Sequence, residues 1–314
     1  MKNAVALVFL LATALSASAA EPVPPWAYPV NPPGIQPAPD DGVPRHVPDS
    51  PVTFSLTQIR NLFAAPDWHP ADHPPMPDSV AFGRKPAVFA CAYCHLPNGL
   101  GRPENASLAG LPLSYILQQV ADFKSGARHS SEPANLPANL MVALAKQATE
   151  ADVQAAAEYF SSLEPRPWIK VIETDTVPTT HVAGWMLVAS EPAGTEPISE
   201  RVIEMPVDLE RTELRDARSP FIAYVPVGSI ARGEALIAGG KTTACGVCHG
   251  ADLKGLGPVP ALAGRSPSYL VRQLYDMQHG ARKGPWSELM KAVVAPLSEA
   301  DMVAIAAYAA SRAP

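Results

Sequence analysis

The pentapeptide Cys91-Ala92-Tyr93-Cys94-His95 returns as Cys245-Gly246-Val247-Cys248-His249, and the likeness extends beyond the motif. An offset of 154 residues also matches Gly101 with Gly255, Leu108-Ala109-Gly110 with Leu262-Ala263-Gly264 and Tyr115 with Tyr269. It continues through Gln119 with Gln273, Asp122 with Asp276 and Gly126-Ala127-Arg128 with Gly280-Ala281-Arg282. The offset then becomes 149, pairing Met141 with Met290, Asp152 with Asp301 and Tyr159 with Tyr308. The first copy therefore carries five extra residues between Arg128 and Met141. A register kept over such a length marks a duplicated unit. It predicts two small domains in tandem, residues 77–164 and 227–314.

The motif also fixes the chemistry. Two thiols three residues apart lie on one helical turn, with a His directly after the second. A single Cys-x-x-Cys reads equally well as a redox dithiol or as half of a zinc site. Two copies with His in the same place, consuming all four cysteines, point instead to covalent c-type haem. On this reading Cys91 and Cys94 bind one haem and Cys245 and Cys248 another. His95 and His249 are the proximal iron ligands. No free thiol remains to act as a ligand.

Haem of this kind is attached outside the bacterial cytoplasm, and the N-terminus agrees. Residues 1–20 read as a secretory signal peptide: Lys2, an apolar run from Ala4 to Leu15, and small residues up to a cleavage site after Ala20. The run is shorter than the roughly 20 residues a membrane span needs. An exported, periplasmic protein is expected, with no transmembrane segment in the mature chain. The formal charge of −6 argues against nucleic acid and anionic membranes as partners, and suits a basic redox protein.

Residues 21–76 form a proline-dense extension. Its Pro24-Pro25 and Pro32-Pro33 dictate extended or irregular backbone. It admits two readings, a flexible leader or a strap anchored by Trp26 and Tyr28. Thr53 to Ala64 reads as a short helix capped by Ser55. His69 and His73 have the spacing of a metal pair, but the prolines around them oppose the helix such a pair needs. Helices are predicted at Ser114–Lys124 and Ser268–Gln278, each with Ser at its start and Gly after its end, and at Thr149–Leu163 and Ser298–Ala310. In the last two, Asp152 and Asp301 complete capping boxes. Residues 165–226 differ in character. Trp168–Val177, Gly184–Ala189 and Glu200–Pro206 read as strands of a small sheet or hairpin. Leu209–Arg218 is loop or short helix.

With the two motifs and their register in view, the sequence resembles dihaem c-type cytochromes built from two class I domains, similar to the cytochrome c4 group. The resemblance implies a mainly α fold of two tandem cytochrome c domains, here joined by a β-rich segment. It also implies a Met as sixth iron ligand, downstream of each motif and before the last helix. Met141 is the only Met after Cys94 in the first unit. In the second, Met277, Met290 and Met302 compete, and only Met290 has a Met as its repeat partner. Met141 and Met290 are therefore the expected ligands. His129 and His279, which are not repeat partners, are the rivals. The family's proline whose carbonyl receives the proximal imidazole N–H corresponds to Pro260. Ala106 stands in its place in the first unit, so unequal haem environments are expected. Arg128 and Arg282 either pair with haem propionates or are exposed helix-end residues. Tyr115, Tyr269, Tyr159 and Tyr308 are expected near the haems. The implied function is one-electron transfer between a donor and an oxidase or other carrier. The alternatives are the cytochrome subunit of a periplasmic dehydrogenase, or a dihaem peroxidase-like enzyme with one open iron.

Overall fold

The computed structural model describes residues 23–314; the expected signal peptide and its cleavage site lie outside them. In the N-terminal stretch, α1 (Leu56–Ile59) is capped by Ser55, whose side chain accepts from the Gln58 N–H. The helix expected over Thr53–Ala64 is cut to this one turn. The Asn61 side chain takes the Phe63 N–H at 3.0 Å, offering the backbone a turn in place of the next helical bond.

The first helical body contains α2 (Asp78–Ala81), α3 (Cys91–His95), α4 (Leu113–Ser125), α5 (Leu136–Gln147) and α6 (Glu150–Ser162). The start of α4 corrects the expectation: Pro112 holds the N-cap position and Ser114 lies exposed inside the helix. Gly126 ends it at φ 79°, a conformation that glycine adopts freely. α6 is capped by the reciprocal Thr149–Asp152 pair.

The middle of the chain contributes β1 (Ile169–Glu173), β2 (Thr176–Pro178), β3 (Thr180–Ala183), β4 (Met186–Ala189), β5 (Thr195–Pro197), β6 (Ile203–Pro206), α7 (Leu209–Glu213) and β7 (Phe221–Val225). The strands expected at Trp168–Val177 and Glu200–Pro206 are shorter than the sequence suggested. A strand not anticipated, β7, is the centre of the main sheet, parallel to β1 and antiparallel to β6. Phe221 enters the core of the first helical body, whereas Ala223 and Val225 enter that of the second. All three lie on one face of β7, which therefore seals the first core with its N-terminal end and the second with the rest of its length.

The second body repeats the first with α8 (Ser229–Ala235), α9 (Gly246–His249), α10 (Pro267–Gln278), α11 (Glu288–Val294) and α12 (Glu299–Ser311). Ser266, not Ser268, caps α10 by accepting the Tyr269 N–H at 3.1 Å. The Ser268 hydroxyl donates instead to the buried Glu204 of β6, which ties the sheet to this body. α8 crosses α12 so closely that a Cβ on Gly233 would sit 2.0 Å from the Ala304 carbonyl oxygen.

The proline-dense extension is a strap. Ala27 and Tyr28 are buried in the second core, and the Tyr28 hydroxyl donates to Asp276 at 2.7 Å. Further along, Trp68 is buried with Val47, Ile59 and Leu214, and its indole N–H donates to the Leu214 carbonyl at 2.7 Å. Among the described residues no single helix is long and apolar enough to cross a membrane.

Candidate haem sites

Each Cys-x-x-Cys-His pentapeptide forms a single helical turn ending in a buried His. The following loop folds back under that His. Gly101 N–H donates to the His95 carbonyl at 3.0 Å, and Gly255 N–H to that of His249 at 2.8 Å. Both glycines have positive φ, and a Cβ would meet a loop carbonyl, that of Ala106 at 2.7 Å or that of Val259 at 2.8 Å. Only glycine lets the loop close this tightly. The closure brings the Ala106 carbonyl to 2.8 Å from His95 Nδ1, and the Pro260 carbonyl to 2.8 Å from His249 Nδ1. The two bonds are equal although one carbonyl belongs to alanine, because the backbone rather than the ring of proline makes the contact. A carbonyl only accepts, so Nδ1 carries the proton and Nε2 keeps its lone pair. Burial holds both imidazoles below their ordinary pKa, favouring the neutral ring that can bind a metal.

His95 and His249 line one continuous cavity of about 540 Å³, together with Met141 of α5 and Met290 of α11. Its walls are largely apolar, with Leu108, Ile116 and Phe123 from one half and Leu262, Leu270 and Ile305 from the other. Three buried donors on the same walls, Gln119 Nε2, Arg265 Nε and Arg282 Nε, have no acceptor. An apolar hollow with unpaired cationic and amide donors at its margin fits a flat apolar macrocycle carrying carboxylates. Met277 also reaches this wall, whereas Met302 is fully buried in the second core. Of the rival histidines, His129 is an exposed residue at the margin. His279 lies off the wall, stacked on Tyr275 with ring centroids 3.8 Å apart.

Where the halves meet, the repeat becomes a local two-fold arrangement. Arg128 donates to Gln119 at 2.9 Å, Tyr269 at 2.9 Å and Gln273 at 2.8 Å. Arg282 donates to Gln273 at 3.1 Å, Tyr115 at 2.8 Å and Gln119 at 2.9 Å. Each set is the other with repeat partners exchanged, as in a self-complementary dimer contact. The backbone follows: His129 N–H donates to Ala281 and Lys283 N–H to Ala127, at 2.9 and 2.8 Å. Both arginines are buried, which rules out the reading of them as exposed helix-end residues. Arg265, passed over in the sequence, donates across the same junction to Ser107 and Ala109 carbonyls at 2.7 and 2.9 Å. Its repeat partner is Leu111, so no symmetry signal marked it.

Two of the four tyrosines fall elsewhere. Tyr159 donates to the Pro97 carbonyl at 2.7 Å and packs edge-on to Phe160, itself 6.0 Å from His95. Tyr308 is half-buried beside Arg312, away from the cavity. His69 and His73 are separated by a 3₁₀ turn and bond to Asp216 at 2.9 Å and Asp67 at 3.1 Å. Among the described residues, no group of three or more His, Cys, Asp or Glu side chains is arranged to hold a metal ion.

No protein-family model matches the sequence. Curated relatives do. A cytochrome c-554(548) of Halomonas halodenitrificans is 38% identical over 81 residues, 26% of this chain and 98% of that protein. A cytochrome c4 of Azotobacter vinelandii is 26% identical over 240 residues, 74% of this chain and 87% of the relative. A protein named thiosulfate dehydrogenase electron acceptor, from Thiomonas intermedia, is 27% identical over 230 residues, 72% of this chain and 80% of the relative.

Proposed function

The chain belongs to the cytochrome c4-like dihaem c-type cytochromes, which carry electrons, and we propose how its residues divide that work. Cys91 and Cys94 would hold one covalent haem, with His95 and Met141 as the protein ligands to its iron. Cys245 and Cys248 would hold the other, with His249 and Met290. Residues 77–164 and 227–314 are the two haem domains, and residues 165–226 the segment packed between them. The observation that carries this reading is the matched pair of imidazole-to-carbonyl bonds, 2.8 Å in each half, on histidines that share one cavity with Met141 and Met290.

When bound, each haem supplies a one-electron iron couple. The protein does the rest. The Ala106 and Pro260 carbonyls orient the imidazoles and make Nε2 a better donor. Met141 and Met290 would be the second protein ligands, and two protein ligands on each iron would keep oxygen and peroxide off it, which suits electron transfer rather than peroxidase chemistry. Arg128, Arg282, Gln119 and Gln273 lock the two sites together and offer donors to the propionates. Export removes residues 1–20 and places the protein in the periplasm.

A second reading concerns the partner. The Thiomonas relative is named for accepting electrons from thiosulfate dehydrogenase, and a periplasmic dehydrogenase is the donor we favour for this chain. Mass spectrometry tests the haem assignment: the mature protein should begin at Glu21 and carry two covalent haems. A single haem would refute it. Copurification with a dehydrogenase, or reduction by one, tests the donor.

A further inference from the structure

The two attachment motifs are the same chemistry in different surroundings. Beside the first, the middle segment folds over the outer edge. Arg215 places its guanidinium 3.7 Å above the Tyr93 ring and donates to the Tyr93 carbonyl at 2.6 Å, between Cys91 and Cys94 in sequence. Asn98 donates to the Ala217 carbonyl at 2.6 Å, and Arg102 to the Thr212 carbonyl at 3.2 Å. Arg102 also pairs with Glu104, and both side chains are buried. Arg215 itself sits at φ 60°, a left-handed conformation that costs a side-chain-bearing residue about 1–2 kcal/mol, so its surroundings must enforce it. The second motif has none of this. The repeat partners of Tyr93, Arg102 and Glu104 are Val247, Leu256 and Pro258, and all three are exposed, as is Cys248.

The charges at the first edge do not cancel. Arg102 and Glu104 form a pair, which leaves Arg215 as one surplus cation held against the motif, where desolvation and Arg102 press its pKa down. An arginine keeps its charge even so. Reduction adds one electron to a haem site, so a nearby fixed cation favours the reduced form. Removal from water strengthens that effect. We infer that Arg215 is a positioning cation that raises the reduction potential of the first haem above that of the second. Electrons entering the chain then settle at the covered site. The inference rests on the assignment of Cys91 and Cys94 to a haem.

The test is a redox titration of the full dihaem protein, followed optically and fitted to two one-electron couples. Arg215→Gln should lower the higher couple by about a factor of ten in its equilibrium constant, equal to 59 mV for one electron, and leave the lower couple in place. Arg215→Lys, which keeps the charge, should restore most of the shift. Glu104→Gln removes the anion that offsets Arg102 and should move the same couple upward. If the higher couple does not move in Arg215→Gln, if both couples move equally, or if only the lower moves, the inference fails. Should Arg215→Gln not fold, a Glu104→Gln variant without an upward shift of the higher couple overturns it. A wild-type mass showing one covalent haem is a separate failure, of the attachment itself.

Discussion

The halves of this molecule agree around the buried face of each motif and disagree at its outer edge. The glycine loop, the carbonyl under the proximal imidazole and the capping box of the last helix recur with the same geometry, and each half lends one Met from the preceding helix to the cavity wall. The outer edge of the first motif lies under Thr212, Arg215 and Ala217, whereas that of the second presents Val247, Leu256 and Pro258 to water. Duplication therefore kept the backbone around the buried His and let the outer edge diverge. A site that must hold a ligand tolerates little change in its backbone, but an exposed rim can be covered or left bare without disturbing the ligand geometry.

The largest effect should come from removing the proposed methionine ligands one at a time. Met141→Ala should convert the first haem alone to a high-spin, lower-potential form, and Met290→Ala the second alone. The reduced wild type should bind carbon monoxide poorly, and each variant should bind about one equivalent. An unchanged spectrum in Met290→Ala would hand the ligand role to Met277, the other Met on that wall.

A smaller effect is expected at the junction. Arg128 and Arg282 make equivalent cross-domain bonds, so Arg128→Ala and Arg282→Ala should each cost about 1–3 kcal/mol by leaving buried partners unpaired. Because they share Gln119 and Gln273, the double variant should cost clearly less than the sum. Denaturant titration of the four proteins measures both. Comparable in size, and confined to the second unit, is Gly233→Ala. Its Cβ would collide with the Ala304 carbonyl, and forcing α8 away from α12 should cost about 1–3 kcal/mol, read as a lower midpoint. The equivalent position in the first unit is already Ser79, in the four-residue α2, so Ser79→Ala should be far milder.

Repetition made most of the site legible in the sequence. Any residue with a repeat partner could be weighed twice, and that selected Met290 and paired His95 with His249. It also put Tyr115, Gln119 and Arg128 in register with Tyr269, Gln273 and Arg282, although their common network appears only when the two halves face each other. Residues without a partner stayed hidden. Arg265 and Arg215 are asymmetric, and each acts on atoms more than a hundred positions away. Strand β7 escaped notice because Phe-Ile-Ala-Tyr-Val lies among prolines and its parallel pairing with β1 needs a crossover that no local pattern announces. Local rules succeeded where the cause is local: Thr149 with Asp152 and Ser298 with Asp301 were read directly as caps. They failed at Ser268, whose hydroxyl found the buried Glu204 instead of a helix end.

The caps give the smallest effect. Both aspartates accept the N-cap backbone N–H, Asp152 at 3.0 Å and Asp301 at 2.9 Å. Burial works against the charge at both, but it is outweighed. At Asp152 the Thr149 cap and the exposed Arg84 lower the pKa; at Asp301 Lys241, Ser298 and Arg232 do so. A carboxylate whose folded pKa is depressed stabilises the fold fully above its unfolded value, near 4, and loses that contribution as pH falls through the folded value. Acid should therefore weaken both last helices below about pH 4. The two cations on Asp301 should keep the second cap charged to lower pH than the first. Asp152→Asn and Asp301→Asn should each cost about 1 kcal/mol at pH 7, and in acid the cost should fade at Asp152 before it fades at Asp301. Midpoints measured across that range, with Asp301→Asn remaining destabilising further into acid than Asp152→Asn, would extend the contrast between the halves from the haem edges to the helix that closes each core.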